Sequence, residues 1–136
     1  YIQTHYLDGD EFGLHLHFGE GAMEKDGPSG GIAILISIIS AVFHTSITCN
    51  AAFTGEIDLF GNVFPVGGIL AKIQAAELSG CTHVFIPQEN YNRLSNEERE
   101  RFSLRIIPVR HVSEVVETVL PHLVEAHRIK QFSRLQ

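Results

Sequence analysis

Apolar and polar residues follow two different periods along the chain, and each period predicts one kind of element. Residues 14–18 alternate between apolar and polar, which predicts a strand with His15 and His17 on one face. Residues 31–43 are almost entirely apolar and outnumber the residues of most strands, so they predict a buried helix. The turn residues 26–29 stand just ahead of it and offer an N-cap.

The second half of the chain alternates short apolar runs with amphipathic segments. A hairpin is predicted where residues 51–58 and 63–66 flank the turn at 59–62. The other predicted elements are a helix over 69–79 followed by Gly80, a strand over 83–87, a helix opened by Ser95 and ending near Arg101, a strand over 104–109, and a helix capped by Ser113 that ends near Leu120 before Pro121 restarts it. This alternation predicts a single α/β (α+β) domain over residues 1–136, with 128–136 as a frayed tail.

Charge and hydropathy exclude several classes of protein. The net charge is −6 and the ten Lys and Arg residues are scattered, whereas phosphate binding needs clustered positive charge. The longest apolar run, residues 32–43, is far shorter than the roughly 20 residues that span a bilayer, and the first residues lack a signal-peptide pattern. We therefore expect an intracellular protein, in the cytoplasm or an organelle matrix, without nucleic acid or membrane as a partner. A nucleic-acid-binding α/β domain is the weakest reading.

Neither cysteines nor phosphate-binding motifs indicate a cofactor in this chain. Cys49 and Cys81 lie in no C-x-x-C pair and beside no spaced histidines, so they predict two small buried side chains and no metal site. The chain also lacks the G-x-x-x-x-G-K-[ST] pattern of a nucleotide-binding loop.

The segment Lys-Asp-Gly-Pro-Ser-Gly-Gly at residues 25–31 is the first candidate for chemistry. Its Gly-Pro turn can project the Ser29 hydroxyl outward, beside the start of the predicted helix. Unpaired N–H groups at a helix start favour negative charge, as an oxyanion requires. A plain serine N-cap explains the same residues, so the segment alone does not decide between the two.

A serine nucleophile needs a base, and the candidates are Lys72, His15 and His17. Lys72 borders the apolar stripe that Ile69 and Ile73 form on the predicted helix. A lysine serves as a base near neutral pH only when desolvation lowers its pKa from about 10.4 to about 7 or 8. The alternative is a lysine whose stem lies along the core while its ammonium reaches water.

Four segments, taken together and in order, resemble the Lon protease family. They are Gly-Ala…Lys-Asp-Gly-Pro-Ser-Gly-Gly-Ile at 21–32, Thr-Gly-Glu-Ile at 54–57, Pro-Val-Gly-Gly-Ile…Lys…Ala-Ala at 65–76, and Ile-Pro…Glu-Asn at 86–90. The resemblance extends from about Leu14 to Val119 and implies the fold of the family's proteolytic domain, without part of its usual N-terminal region. It implies a serine endopeptidase that hydrolyses unfolded or damaged proteins. It also implies a homo-oligomer, a hexamer in the family, and a separate ATPase module to which ATP and Mg²⁺ would belong.

The resemblance also implies roles for single residues. Ser29 matches the nucleophile, and Lys72, 43 positions later, matches the lysine of the family's Ser-Lys dyad. Supporting roles fall to Thr54, which would hold the lysine, to Asp26 beside the nucleophile, and to Glu56, His15 and His17; the backbone N–H groups of Gly27 and Ser29 would bind the oxyanion, and no metal is implied.

Two positions depart from the family pattern. Gly30 stands where the family usually has alanine, and Glu24 stands where a neutral residue is common. A glycine at this place adds backbone freedom beside the nucleophile. The alternative function is therefore a catalytically inactive Lon-like assembly or interaction domain.

Overall fold

The computed structural model describes residues 13–17 and 27–125, and in this part of the chain a parallel sheet lies between two layers of helices. The elements in chain order are α1 (Gly31–Val42), β1 (Ala51–Phe53), β2 (Glu56–Ile57), β3 (Val63–Phe64), α2 (Ile69–Leu78), β4 (His83–Pro87), α3 (Gln88–Arg93), α4 (Asn96–Glu100), β5 (Arg105–Val109) and α5 (Val112–Val119). Residues 121–125 are helical again, as the proline at their start predicts.

Strand β4 is the centre of the sheet. It pairs in parallel with β1 on one side and β5 on the other. Phe85 packs with α1 and α5 on one face, while Val84 and Ile86 pack with α2 on the opposite face. All three are buried, which is why β4 has a continuous apolar sequence. The predicted α/β architecture is confirmed.

Helix α1 confirms the long apolar helix but begins one residue later than a serine cap would allow. The N-cap is Gly30, whose carbonyl accepts from the Ile34 N–H at 3.0 Å, and no side chain caps the helix. The carbonyl of Ser29 is occupied elsewhere, since it accepts from the Gly55 N–H at 2.9 Å. Ser29 therefore stands outside the helix.

The strand predicted over residues 14–18 is wrong for the residues that the structure describes. Residues 13–17 belong to no strand, and the side chains of Leu14 and Leu16 are 50% and 46% exposed. A strand needs a neighbour to pair its backbone N–H and C=O groups, and neither sheet of the described ranges extends to this segment. Alternating apolar and polar residues do not form a strand when no partner strand lies beside them.

The strand predicted over residues 51–58 is divided at Thr54 and Gly55. The first half, β1, joins the parallel sheet, whereas β2 leaves it to form the predicted antiparallel hairpin with β3. The division brings the backbone against α1, because a Cβ added at Gly55 would lie 2.6 Å from Ile32 Cδ1. Only glycine fits this approach without movement of its neighbours.

The cap of α5 is His111, so the predicted cap at Ser113 is wrong. His111 Nδ1 accepts from the Ser113 N–H at 3.2 Å, and the Glu114 carboxylate accepts from the His111 N–H at 2.8 Å. This is a capping box with histidine in the place where serine is usual. The capping box of Ser95 on α4 and the left-handed Gly80 after α2 are both confirmed.

Candidate active site

A cleft of about 390 Å³ opens between the start of α1, strand β1 and helix α2. Of the predicted site residues, Ser29, Thr54 and Lys72 all line it. Small and apolar side chains form the rest of the lining, which includes Gly30, Ala52, Phe53, Ala75, Ala76, Ser79, Cys81 and Val84. The structure thus brings together three residues that are as far as 43 positions apart in the sequence.

The backbone of Ser29 is held by the junction between β1 and β2. Its carbonyl accepts from the Gly55 N–H at 2.9 Å and from the Thr54 hydroxyl at 3.5 Å. Thr54 is 7% exposed, and its own N–H donates to the Phe85 carbonyl of the central strand at 3.1 Å. The resemblance assigned Thr54 to the lysine, whereas in the structure its hydroxyl donates to the backbone carbonyl of Ser29.

The start of α1 lies directly beside Ser29. The Gly31 N–H donates to the Pro28 carbonyl at 3.3 Å, which closes the turn before the helix. N–H groups in a first helical turn lack partners within the helix and favour nearby negative charge. Gly27, the other predicted oxyanion donor, has a φ of 90° and lies exposed in the same turn.

Helix α2 carries Lys72 into the wall of the cleft. The Lys72 N–H donates to the Gly68 carbonyl at 3.1 Å, which places the residue one turn from the helix start. Its side chain is partly buried, and the next residue, Ile73, is fully buried, as the predicted apolar stripe requires. No hydrogen bond joins Lys72 Nζ to Ser29 Oγ, and Lys72 pairs with no carboxylate in the described ranges.

The other predicted residues do not meet in the cleft. Glu56 is exposed on β2, and His15 and His17 are exposed in the segment 13–17; none of the three lines the cleft. Asp26 lies outside the described residues. Their supporting roles stay predictions.

Asn90 on α3 is a buried polar residue whose role the sequence does not reveal. It is 4% exposed, its Oδ1 accepts from the Val66 N–H, and its Nδ2 donates to the Val66 carbonyl, both at 2.9 Å. The one available signal is that Asn90 belongs to a segment resembling the Lon family. Nothing in the local sequence distinguishes it from the neighbouring polar residues of the same helix.

The apolar wall of the cleft was also not predicted as part of a site. Phe53 lines the cleft and stacks on Phe85, with ring centroids 5.3 Å apart and an interplanar angle of 17°. Such a stacked pair contributes about 0.5–1.5 kcal/mol beyond its buried area. The side chain of Phe53 is therefore held firmly against the sheet on one side of the cleft.

Residues 13–17 and 27–125 contain neither a cluster of metal ligands nor a membrane-spanning helix. No three His, Cys, Asp or Glu side chains there lie together as metal ligands. No helix in the same ranges is long and apolar enough to cross a membrane. Apart from backbone groups, the lining residues offer the cleft hydroxyl, thiol and amine groups.

Comparisons with known proteins agree on one family. A sequence model of the Lon protease (S16) C-terminal proteolytic domain matches residues 3–122. The chain is 40% identical to a Lon protease of Rickettsia bellii over 116 residues, which is 85% of this chain and 15% of that protein. It is 41% identical to a Lon protease of Azospirillum brasilense over 113 residues, which is 82% of this chain and 14% of that protein.

A third relative is similar to this chain to the same extent. A Lon protease of Aster yellows witches'-broom phytoplasma is 43% identical over 107 residues, which is 78% of this chain and 14% of that protein. The chain thus spans about one seventh of the length of these curated relatives. The resemblance seen in the sequence is confirmed over most of the chain. The chain belongs to the Lon protease family and is a Lon-type peptidase domain.

Proposed function

We propose that this domain hydrolyses peptide bonds with Ser29 as the nucleophile and Lys72 as the general base. The observation that carries the proposal is that Ser29 and Lys72 line the same cleft, although they lie on different elements. Lys72 is the one amine among the lining residues, and Ser29 is the lining hydroxyl that stands at a helix start. A nucleophile beside a base and an electropositive helix terminus is the arrangement that acyl transfer requires.

In the first half of the reaction the serine is acylated. The neutral Lys72 amine takes the proton of the Ser29 hydroxyl while Oγ attacks the carbonyl carbon of the scissile peptide bond. Backbone N–H groups near Ser29 stabilise the resulting oxyanion. The tetrahedral intermediate then collapses, its C–N bond breaks, and the Lys72 ammonium returns its proton to the leaving amine.

In the second half water releases the product. Lys72, neutral again, takes a proton from a water molecule, and the hydroxide oxygen attacks the acyl-Ser29 ester. The ester C–O bond breaks, Oγ regains a proton from the Lys72 ammonium, and a carboxylic acid product leaves. The cycle consumes one water and needs no further reactant.

A second candidate function is a catalytically inactive assembly domain. The observation that favours it is the lack of a hydrogen bond between Ser29 Oγ and Lys72 Nζ in the described part of the chain. Catalytic hydrogen bonds are often long before substrate binds and tighten in the complex. The two candidates therefore differ in whether Ser29 becomes reactive when a substrate-like group fills the cleft.

Labelling with a peptide boronate tests the proposal. We expect the boronate to form an adduct at Ser29 in the full-length protein. Lys72→Arg should abolish labelling, because arginine keeps the positive charge but does not lose its proton. Mass spectrometry of the adduct identifies the labelled residue.

Cleavage of fluorescently labelled casein gives the second readout. Ser29→Ala should abolish cleavage, and the matched change Ser37→Ala should leave it unchanged, since Ser37 is exposed on α1 and its hydroxyl bonds only within that helix. Full cleavage by Ser29→Ala overturns the assignment of the nucleophile. Failure of the unmodified protein to label or cleave under all conditions supports the inactive assembly domain.

We extend the proposal to the setting that the resemblance implies. Substrates would be unfolded or damaged proteins, delivered by an ATPase module outside these residues, and copies of the domain would assemble as a homo-oligomer. In that case ATP with Mg²⁺ accelerates casein cleavage by the full-length protein but leaves cleavage of a short peptide much less affected. Equal rates of casein cleavage with and without ATP contradict the coupling.

A further inference from the structure

We propose that Asn90 is a positioning residue for proton transfer, because it fixes the start of the helix that carries Lys72. This inference rests on the proposed roles of Ser29 and Lys72. Asn90 does not line the cleft, so it acts through the backbone of Val66 and not on the substrate.

The side-chain amide of Asn90 forms hydrogen bonds with both the N–H and the carbonyl of Val66. Oδ1 accepts from the Val66 N–H and Nδ2 donates to the Val66 carbonyl, each at 2.9 Å. Asn90, at 4% exposure, and Thr54, at 7%, are the buried polar side chains of the described residues. A buried amide that uses both its oxygen and its nitrogen holds its partner in one place, since a buried polar group left without a hydrogen bond is costly.

The chain from Val66 to Lys72 is short, and Asn90 supplies the side-chain hydrogen bonds nearest its start, while Ile69 and Leu70 pack against the core without fixing the turn before the helix by hydrogen bonds. Gly67 and Gly68 separate Val66 from α2, and glycine restrains the backbone least of all residues. Gly68 is the N-cap, with φ 65° and ψ 32°, and no side chain caps the helix. Because the Lys72 N–H bonds to the Gly68 carbonyl, a shift of this turn moves the base directly.

Asn90 is attached to the central strand of the sheet. Helix α3 follows β4 without a loop, so Asn90 lies three residues beyond Pro87, the last residue of the central strand. The nucleophile is tied to the same strand, through Ser29, Thr54 and the Phe85 carbonyl. Strand β4 thereby becomes a common reference for both members of the dyad, which sets the separation of nucleophile and base.

The test is Asn90→Ala in the full-length protein, assayed on a short fluorogenic peptide. Rates are normalised to active sites titrated with the boronate. We expect kcat to fall about 10- to 100-fold, the range for a catalytic group displaced by about 1 Å. KM should stay within about twofold, because the change leaves the cleft walls at Phe53 and Val84 untouched.

Two matched variants separate positioning from general destabilisation. Asn92 is exposed on the same helix, and its amide oxygen accepts only from the partly buried Gln88, so Asn92→Ala should change neither kcat nor KM. Leu94→Ala removes a side chain from the buried cluster in which Ile73 of α2 packs, and it leaves the hydrogen bonds to Val66 in place. It should therefore lower stability but keep kcat per titrated site. A loss of kcat in Leu94→Ala equal to that in Asn90→Ala overturns the proposal, as does an unchanged kcat in Asn90→Ala.

A measurement on the unmodified protein covers the case in which Asn90→Ala does not fold. The Val66 amide should exchange its hydrogen far more slowly than exposed loop amides, and exchange at the rate of an exposed amide overturns the proposal. Failure of the inference is distinct from failure of the proposed function. Casein cleavage by Ser29→Ala overturns the dyad, whereas a fully active Asn90→Ala beside an inactive Ser29→Ala overturns only the positioning role.

Discussion

Gly55→Ala tests whether the junction of β1 and β2 holds Ser29 in position. The added Cβ would lie 2.6 Å from Ile32 Cδ1 and 3.1 Å from Val63 Cγ1. Carbon atoms in contact normally sit about 3.5–4.0 Å apart, so the junction or α1 must move by about 1 Å. Ile32 is fully buried and cannot turn its side chain towards solvent.

The stability change follows from two opposing effects. Overpacking a dense core costs about 1–3 kcal/mol, and the φ of 158° at Gly55 adds backbone strain for alanine, whereas replacing glycine restricts the unfolded chain and offsets about 0.4–1 kcal/mol of this loss. We expect a net loss of about 1–2 kcal/mol in the free energy of unfolding. The movement also strains the bond from the Gly55 N–H to the Ser29 carbonyl, so kcat should fall about 10-fold or more.

Urea unfolding and peptide cleavage measure the two effects in the same preparation. Gly30→Ala is the matched control, because a Cβ there meets no atom closer than 3.9 Å and the backbone has φ −87° and ψ 1°. That change restores the alanine usual in the family. It should stabilise by about 0.4–1 kcal/mol and preserve kcat.

Gly55→Ala should not match the unmodified protein in both measurements. A free energy of unfolding within about 0.3 kcal/mol of that protein's value, together with an equal cleavage rate, would refute the predicted clash. A large loss of stability with unchanged kcat per titrated site would keep the packing argument. It would refute the claim that this junction positions Ser29.

Three further changes give sharp expectations. His111→Ala removes the cap of α5 and should lower the free energy of unfolding in urea by about 1–2 kcal/mol, while alanine at the exposed His122 should not. Hydrogen bonds from Ser103 hold the pKa of the Glu77 carboxyl below its ordinary value near 4.5. The Glu77 carboxylate therefore contributes its full share to the free energy of unfolding above that pH, and this share is lost as the pH falls through the lower pKa of the folded protein. The loss of stability caused by Glu77→Gln, measured by urea unfolding, should shrink below about pH 4.5. Because Cys81 lines the cleft, bound boronate should slow its modification by a maleimide. Cys49 lies outside the cleft, and burial raises the pKa of its thiol, so it should react slowly with or without the boronate; equal protection of both thiols would place the ligand elsewhere.

Elements with strong local signals were predictable from the sequence. The mostly apolar sequences of α1 and β4 reflect the burial of their core residues, and the Ser95 capping box is a pattern of four neighbouring residues. These signals do not depend on distant parts of the chain. Their positions were therefore correct to within one or two residues.

Elements set by distant contacts were not predictable in the same way. Helix α3 has a polar sequence without apolar periodicity, and its one buried residue is Asn90. The division of β1 from β2 depends on α1 passing close to Gly55. Residues 14–18 show the converse, because an alternating pattern found no neighbouring strand within the described ranges.

The site was predictable only in part for the same reason. Ser29 and Lys72 were each ambiguous when considered alone, and the ordered segments of the Lon resemblance made them candidates together. Their shared cleft is a result of the fold. The role inferred for Asn90 depends on a contact with Val66 across 24 positions, for which one sequence has no signal.

The parallel pairing of β1 with β4 has a consequence for how the domain matures. Ala51 pairs with His83, so this part of the sheet forms only after a long loop has closed, and such non-local pairing folds slowly. Ser29 is held by the residues that follow β1, and the helix that bears Lys72 is held by residues that follow β4. A partly folded copy therefore has neither Ser29 nor Lys72 in place. If Ser29 and Lys72 act as proposed, peptidase activity appears only with the last steps of folding, and partly folded copies do not cleave newly made chains.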